Sequence, residues 1–373
     1  MNQDLFRYLP SELFTDILLR LPLENIASCK RVCKPWLGLI ESDAFLKFHL
    51  SKSAPALAVS MPTRDSNWFN LFRLGDEREH KHKQDPIIKF NFPQASTIQG
   101  SANGLLLLKN PFIDCLYVCN PITREFVELH GRLTGRFCMG DCYGFGVSKI
   151  SGQHKVVYLN PKYNEFHVYT LETGSSWRSI ESASLSFRRC FSSVGALVNG
   201  NLYWLVSNDT QNPYICCFDL ETEGFSTFSA PVKSNVGMLY TLGGCLCFSD
   251  DDPFNGDNVI WLLKETEPIE KCWCEVRHVT KDGPYLDIFV EDYYYGQDFY
   301  KRLQPIKIYR NGDMLTLWDE SIFLYYSKRR STLKKIDLFG KMDDDCYYIN
   351  SVLLTPSFLS LKRNLGMKNV RSF

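Results

Sequence analysis

From Ser101 onward the chain is a succession of short apolar runs, each ended by Gly, Asn, Asp or Pro, and helical periodicity is almost absent. Asn-Gly pairs such as Asn103-Gly104, Asn199-Gly200 and Asn311-Gly312 stand between such runs. Asn-Gly is a hairpin signal because both central residues of a type I′ turn need positive φ. Many short strands at close spacing must hide their edges, which restricts the fold to a sandwich, a barrel or a propeller.

Grouping the runs by fours favours the propeller. Ser101–Leu108, Tyr117–Pro121 and Phe126–Leu129 begin the series, followed by Tyr143–Val147, His154–Leu159, His167–Thr170 and Trp177–Ile180. A third group is Gly195–Val198, Leu202–Val206, Ile215–Leu220 and Phe225–Phe228. A fourth is Met238–Leu242, Cys245–Phe248, Val259–Leu263 and Trp273–Val276. The fifth takes Pro305–Tyr309, Met314–Trp318, Ile322–Tyr326 and Leu333–Leu338. Leu57–Ser60 and Phe69–Phe72 are then expected to pair with Tyr347–Leu354 and Ser357–Leu361, closing a sixth blade from both ends.

The first 53 residues follow a different rule. Leu13, Phe14, Ile17, Leu18 and Leu21 have the spacing of one helix face. Pro10 suits a first turn, Ser11 can satisfy an exposed amide, and Pro22 ends the helix. A second helix is expected over Leu23–Val32 with Ile26 and Cys29 inward. Pro35 opens a third carrying Trp36, and Asp43 can cap a last turn holding Phe45, Leu46 and Phe48. So short a module buries its apolar surface poorly alone. Two readings are open: it is held by another protein, or it is a helical cap on the larger domain. The expected class is α+β multidomain, with an all-α module at 1–53 and an all-β propeller of about six blades at 54–373.

The front module resembles an F-box. The resemblance rests on Leu9-Pro10-x-Glu12-Leu13-x-x-x-Ile17-Leu18-x-x-Leu21-Pro22, then Arg31-Val32-Cys33-Lys34-x-Trp36 and Phe45. Pro35 stands where that family more often has Ser, and it is compatible with a helix start. The remainder is similar to the F-box-associated (kelch-like) domains of plant F-box proteins. Ala102-Asn103-Gly104-Leu105-Leu106, Asn120-Pro121-Ile122-Thr123-Arg124, Gly144-Phe145-Gly146 and Leu202-Tyr203-Trp204-Leu205 occur in that family's order. Ala102 replaces a frequent Cys, and Val147-Ser148 a frequent Asp. The resemblance implies docking on a Skp-family adaptor, which bridges to a cullin in an SCF ubiquitin ligase, with the propeller choosing the target protein. By motif, Leu9, Pro10, Ile17, Leu18, Leu21, Pro22, Val32 and Trp36 are the expected adaptor contacts or their immediate support.

Charge and chemistry narrow the alternatives. Lys and Arg total 42 and Asp and Glu total 42, so bulk charge favours neither nucleic acid nor an anionic membrane as partner. Asp4, Arg7 and Glu12 interrupt any secretory apolar core, and no run reaches membrane-spanning length. The 14 cysteines, spread among apolar strand residues, read as reduced thiols of a cytoplasmic or nuclear protein.

Gly144-x-Gly146 lacks the third glycine and helix start of a dinucleotide site, and no Gly-x-Ser-x-Gly elbow occurs. His80 and His82 sit in a charged run expected to be a solvated loop. Asp250-Asp251-Asp252 and Asp343-Asp344-Asp345 read as turns, and Cys245/Cys247 and Cys272/Cys274 as same-face core pairs. No cofactor or metal is implied. A ligase receptor needs no catalytic residue of its own; the competing readings are a propeller enzyme acting on a sugar or small molecule, and an adaptor-binding scaffold outside any ligase. For target capture, the aromatic stretch around Tyr293, Tyr294, Tyr295, Phe299 and Tyr300 is the most conspicuous candidate, although buried strand residues have the same composition.

Overall fold

The computed structural model describes residues 10–75, 85–113, 115–129, 140–173, 176–180, 187–208, 213–232, 237–251, 258–266, 270–279, 302–336 and 348–373. Four helices come first: α1 Ser11–Leu19, α2 Leu23–Cys29, α3 Lys34–Ile40 and α4 Asp43–Lys52. Pro10 and Pro22 are the residues immediately before α1 and α2, both extended, with φ of −55° and −57°. A proline's fixed φ suits that entry, and neither Pro10 nor Pro22 supplies a side-chain cap. At α4 the cap is Ser42, whose Oγ accepts from Phe45 N at 3.2 Å; Asp43, the cap expected from the sequence, is the first helical residue. The second helix is shorter than expected, because residues 30–32 turn toward α3.

The strands form six antiparallel sheets around a central channel. Blade 1 contains β1 Ala56–Pro62, β2 Asn67–Arg73 and β3 Ile88–Asn91; blade 2 contains β4 Thr97–Ala102, β5 Leu105–Asn110, β6 Cys115–Asn120 and β7 Glu125–Leu129. Blade 3 is β8 Cys142–Val147, β9 His154–Asn160, β10 Glu165–Thr170 and β11 Arg178–Ser179. Blade 4 has an inner edge in two pieces, β12 Arg189–Cys190 and β13 Ala196–Val198, then β14 Asn201–Ser207, β15 Pro213–Asp219 and β16 Phe225–Ser229. Blade 5 is β17 Met238–Leu242, β18 Cys245–Asp251, β19 Asn258–Thr266 and β20 Glu270–Val279. Blade 6 is β21 Leu303–Ile308, β22 Met314–Trp318, β23 Ile322–Ser327 and β24 Thr332–Lys335.

Closure comes from β25 Asn350–Leu354, which pairs with β1 and places Ala56 opposite Leu354. A final short strand, β26 Arg371–Ser372, pairs with β7 at the outer edge of blade 2. The expected strand over Ser357–Leu361 does not form. That segment leaves the sheet and is buried as irregular chain, because Asn120 and Glu125 of blade 2 supply its hydrogen bonds in place of a neighbouring strand.

Asn103-Gly104 and Asn199-Gly200 are type I′ turns, with φ of 47° and 86° in the first and 51° and 76° in the second. At Asn311-Gly312 only the glycine has positive φ, and the loop is one residue longer, closed by Tyr309 N to Asp313 O at 2.8 Å. The blades pack through their middle strands: Leu105 to Leu108 and Val156, Val157 and Leu159 are fully covered. The Gly144-Phe145-Gly146 run has a packing cause. A Cβ on Gly144 would lie 2.7 Å from Trp204 Cζ2, and one on Gly195 2.6 Å from Trp204 Cε2, so the glycines admit a fully buried indole between blades 3 and 4. Asp250 and Asp251 close strand β18 opposite Val259 and Asn258 rather than forming a turn. Among the described residues no helix is long and apolar enough to cross a membrane.

Candidate functional site

The apolar stripe of α1 is wide enough to be divided between two partners. Phe14 and Leu18 point inward; Leu18 is 1% exposed and belongs to the same apolar core as Leu105, Leu107 and Phe358 of the propeller body. Leu13 and Ile17, also one turn apart, face out and are 51% and 50% exposed. Val32, on the turn between α2 and α3, is 63% exposed. Exposed aliphatic side chains on a helix whose other face is already satisfied are what a partner surface requires.

The residues assigned by motif therefore separate. Pro10, Ile17, Pro22 and Val32 are exposed; Leu18 is core; Leu21 is half-buried and faces a cleft of about 220 Å³ toward Ala56, Arg73 and Ile87. Half-buried Trp36 packs edge-on against Phe14, ring centroids 5.6 Å apart, and so braces α1 against α3. Leu9 lies outside the described residues. Leu13, a motif residue, and Phe48 are exposed apolar residues absent from the expected adaptor contacts. Leu13's signal was its spacing from Ile17, which a single-stripe reading merges with the core positions.

The helices join the propeller where Ala56 and Leu354 lie side by side, so the module sits on the face at which both ends of the propeller emerge. In antiparallel blades the turns between second and third strands lie on the opposite face. There Asn110 Oδ1 accepts from Phe112 N at 2.9 Å and Ile113 N at 3.2 Å, holding Phe112 out at 91% exposure. Tyr163 occupies the matching turn of blade 3 and is also exposed. Tyr293, Tyr294, Tyr295, Phe299 and Tyr300 lie outside the described residues, as do His80, His82, Asp252 and Asp343 to Asp345.

The channel holds a cavity of about 430 Å³ whose lining draws on the inner strand of every blade. Arg302 and Glu320 are the only charged side chains among its described lining residues. No group of three His, Cys, Asp or Glu among the described residues is arranged to hold a metal. The described cysteines are free, and burial pushes the Cys119, Cys216 and Cys247 thiols well up. Cys272, expected in a core pair, is exposed at the outer strand of blade 5.

Two families match the chain in the order of these bodies: an F-box-like domain over residues 6–53 and the F-box associated beta propeller domain over residues 48–355. The chain belongs to the F-box proteins that carry an F-box-associated β-propeller. Relatives from Arabidopsis thaliana agree. F-box protein At5g65850 is 30% identical, covering 73% of this chain and 71% of that protein. F-box protein At3g07870 is 27% identical over 71% of each, and the putative F-box protein At3g23960 is 27% identical over 89% of this chain and 88% of its own length. The four helices are thus the F-box region, and an adaptor of the Skp type is its general partner. Leu13 and Ile17 are its outward apolar residues on α1.

Proposed function

We propose that this F-box protein is the target-recognition subunit of an SCF-type ubiquitin ligase. Residues 1–53 dock the adaptor and, through it, a cullin; residues 54–373 capture a target protein for ubiquitination. The observation that carries the reading is the division of α1, whose inner residues bind it to the propeller while Leu13 and Ile17 remain free for another protein. The chain needs no reacting group for this role. Holding target and conjugating enzyme on one body raises their effective concentration, which is the receptor's whole contribution. The place of work is the cytoplasm or nucleus.

Target capture is assigned to the face opposite the F-box, where the Asn110 turn presents Phe112 and Ile113 and blade 3 presents Tyr163. A turn whose backbone is held by the Asn110 side-chain carbonyl lowers the ordering cost of presenting an exposed aromatic, which suits a hot spot. The test is reconstitution with a purified adaptor, cullin and RING subunit. Co-elution as one complex, with ubiquitin chains formed in the presence of a conjugating enzyme, is the expected result. A folded chain that neither co-elutes with the adaptor nor supports chain formation would overturn the reading.

A further inference from the structure

Residues 356–373 lie beyond both matched domains, yet they form the joint between them. Beyond β25, Asn120 of blade 2, itself fully buried, donates through Nδ2 to Ser357 O at 2.9 Å and Leu359 O at 2.7 Å. Glu125 accepts from Ser360 Oγ at 2.9 Å and Leu361 N at 2.7 Å. Gly104 stands where a Cβ would lie 2.3 Å from Ser357 Cβ, so the tail is pressed onto the first hairpin of blade 2. On its other side the same segment grips the F-box. Phe358 packs edge-on against His49 at 5.4 Å and lies under Lys30 at 5.1 Å. Arg363 pairs with Glu41, which also holds Lys30 at 3.4 Å, and Asn364 Nδ2 donates to Asp43 Oδ1 at 3.0 Å. Glu41 and Asp43 flank the corner between α3 and α4. Phe358, Leu359, Leu361, Leu365 and Met367 lie in one continuous core with Leu18, Ile26, Ile40 and Phe45 of the helices.

We propose that residues 357–367 are a strap that sets the angle between the F-box and the propeller. Asn120 and Glu125 are its positioning residues on one side, and Glu41 and Asp43 on the other. Direct chain continuity gives the two bodies only Ser53-Ala54-Pro55 between α4 and β1, a single tether that cannot by itself define a rotation. Beside the exposed Glu24–Arg73 pair at 3.7 Å, the strap adds an attachment at the far corner of the helices, and separated attachments define an orientation. The consequence for ligase geometry rests on the function proposed above: a fixed angle determines where a captured target stands relative to the bound adaptor.

The test measures orientation without needing an adaptor or a target. Spin labels on non-natural residues replace Arg20 on the F-box and Lys162 on the opposite propeller face, both exposed, and the distance distribution is read by pulsed resonance in the full chain. The wild type is expected to give one narrow distance. Arg363→Ala/Asn364→Ala, which spares the core, is expected to broaden it at least twofold with Tm nearly unchanged; adding Phe358→Ala should broaden it further. Arg363→Lys, which keeps a cation opposite Glu41, should retain the wild-type width. Should the triple variant lose its cooperative unfolding transition, the double variant alone decides. An equally narrow distribution in the folded double variant would overturn the strap. Parallel adaptor titrations separate the two claims: a wild type that binds no adaptor retires the ligase reading, while broadening in the same variants still upholds the strap.

Discussion

Replacing Leu13 and Ile17 together by alanine tests the proposed docking face. Each side chain is about half exposed, at 51% and 50%, so an adaptor can cover only the remaining half. Full burial of a Leu or Ile side chain contributes about 1.5–3 kcal/mol, so half of each, summed over two residues, comes to about 1.5–3 kcal/mol. At about 1.4 kcal/mol per decade, Kd should weaken roughly 10- to 150-fold. Stability should hardly move, because exposed substitutions usually stay within about 0.5 kcal/mol and alanine is the best helix former. Leu18→Ala is the opposite control. It opens the shared core, and should cost about 2–5 kcal/mol of stability. Trp36→Ala would confuse the two effects, since its ring braces Phe14. The assay is calorimetric titration against a purified Skp-family adaptor at 25 °C, with thermal unfolding run on the same samples. If the wild type binds and the doubly substituted chain binds equally well with an unchanged Tm, Leu13 and Ile17 are not the docking face.

Three further outcomes can be measured. Gly144→Ala forces a methyl to 2.7 Å from Trp204 Cζ2 and Leu202 Cδ1, an overpacking that should cost about 1–3 kcal/mol; differential scanning calorimetry showing an unchanged or higher Tm would refute the packing account. Burial holds His49 below the ordinary imidazole value of 6.5, so its neutral form is favoured in the folded chain. Its stabilising contribution is therefore complete above pH 6.5 and is lost as pH falls toward the depressed folded value; His49→Asn should flatten Tm against pH between 7.5 and 5, and a parallel-shifted curve would count against it. In native-state alkylation mapped by mass spectrometry, exposed Cys33 and Cys272 should react quickly while buried Cys119, Cys216 and Cys247 resist, and early modification of those three would contradict their burial.

The propeller was legible because its signals are local. Alternation, turn residues and strand-length runs reflect bonds between neighbours in sequence, so blades 2 to 6 emerge nearly strand by strand. Positions depending on a third body were not. Ser357–Leu361 is apolar and strand-like, and only the location of the Asn120 amide and the Glu125 carboxylate makes it a strap instead. Arg189-Cys190 has no strand pattern of its own and becomes one through pairing with Val206 and Ser207.

The proposed docking site divides along the same line. Residue types and spacing along α1 determined that an amphipathic F-box helix forms and that its apolar stripe must be covered. Which half of the stripe faces the propeller and which faces a partner is a question of where the strap and blade 2 stand. Helical periodicity specifies angles around one axis and carries no information on what lies beside each angle. Tertiary structure alone decided that Phe14 and Leu18 are inside, that Leu13 and Ile17 are outside, and that a short tail packs between the F-box helices and the propeller.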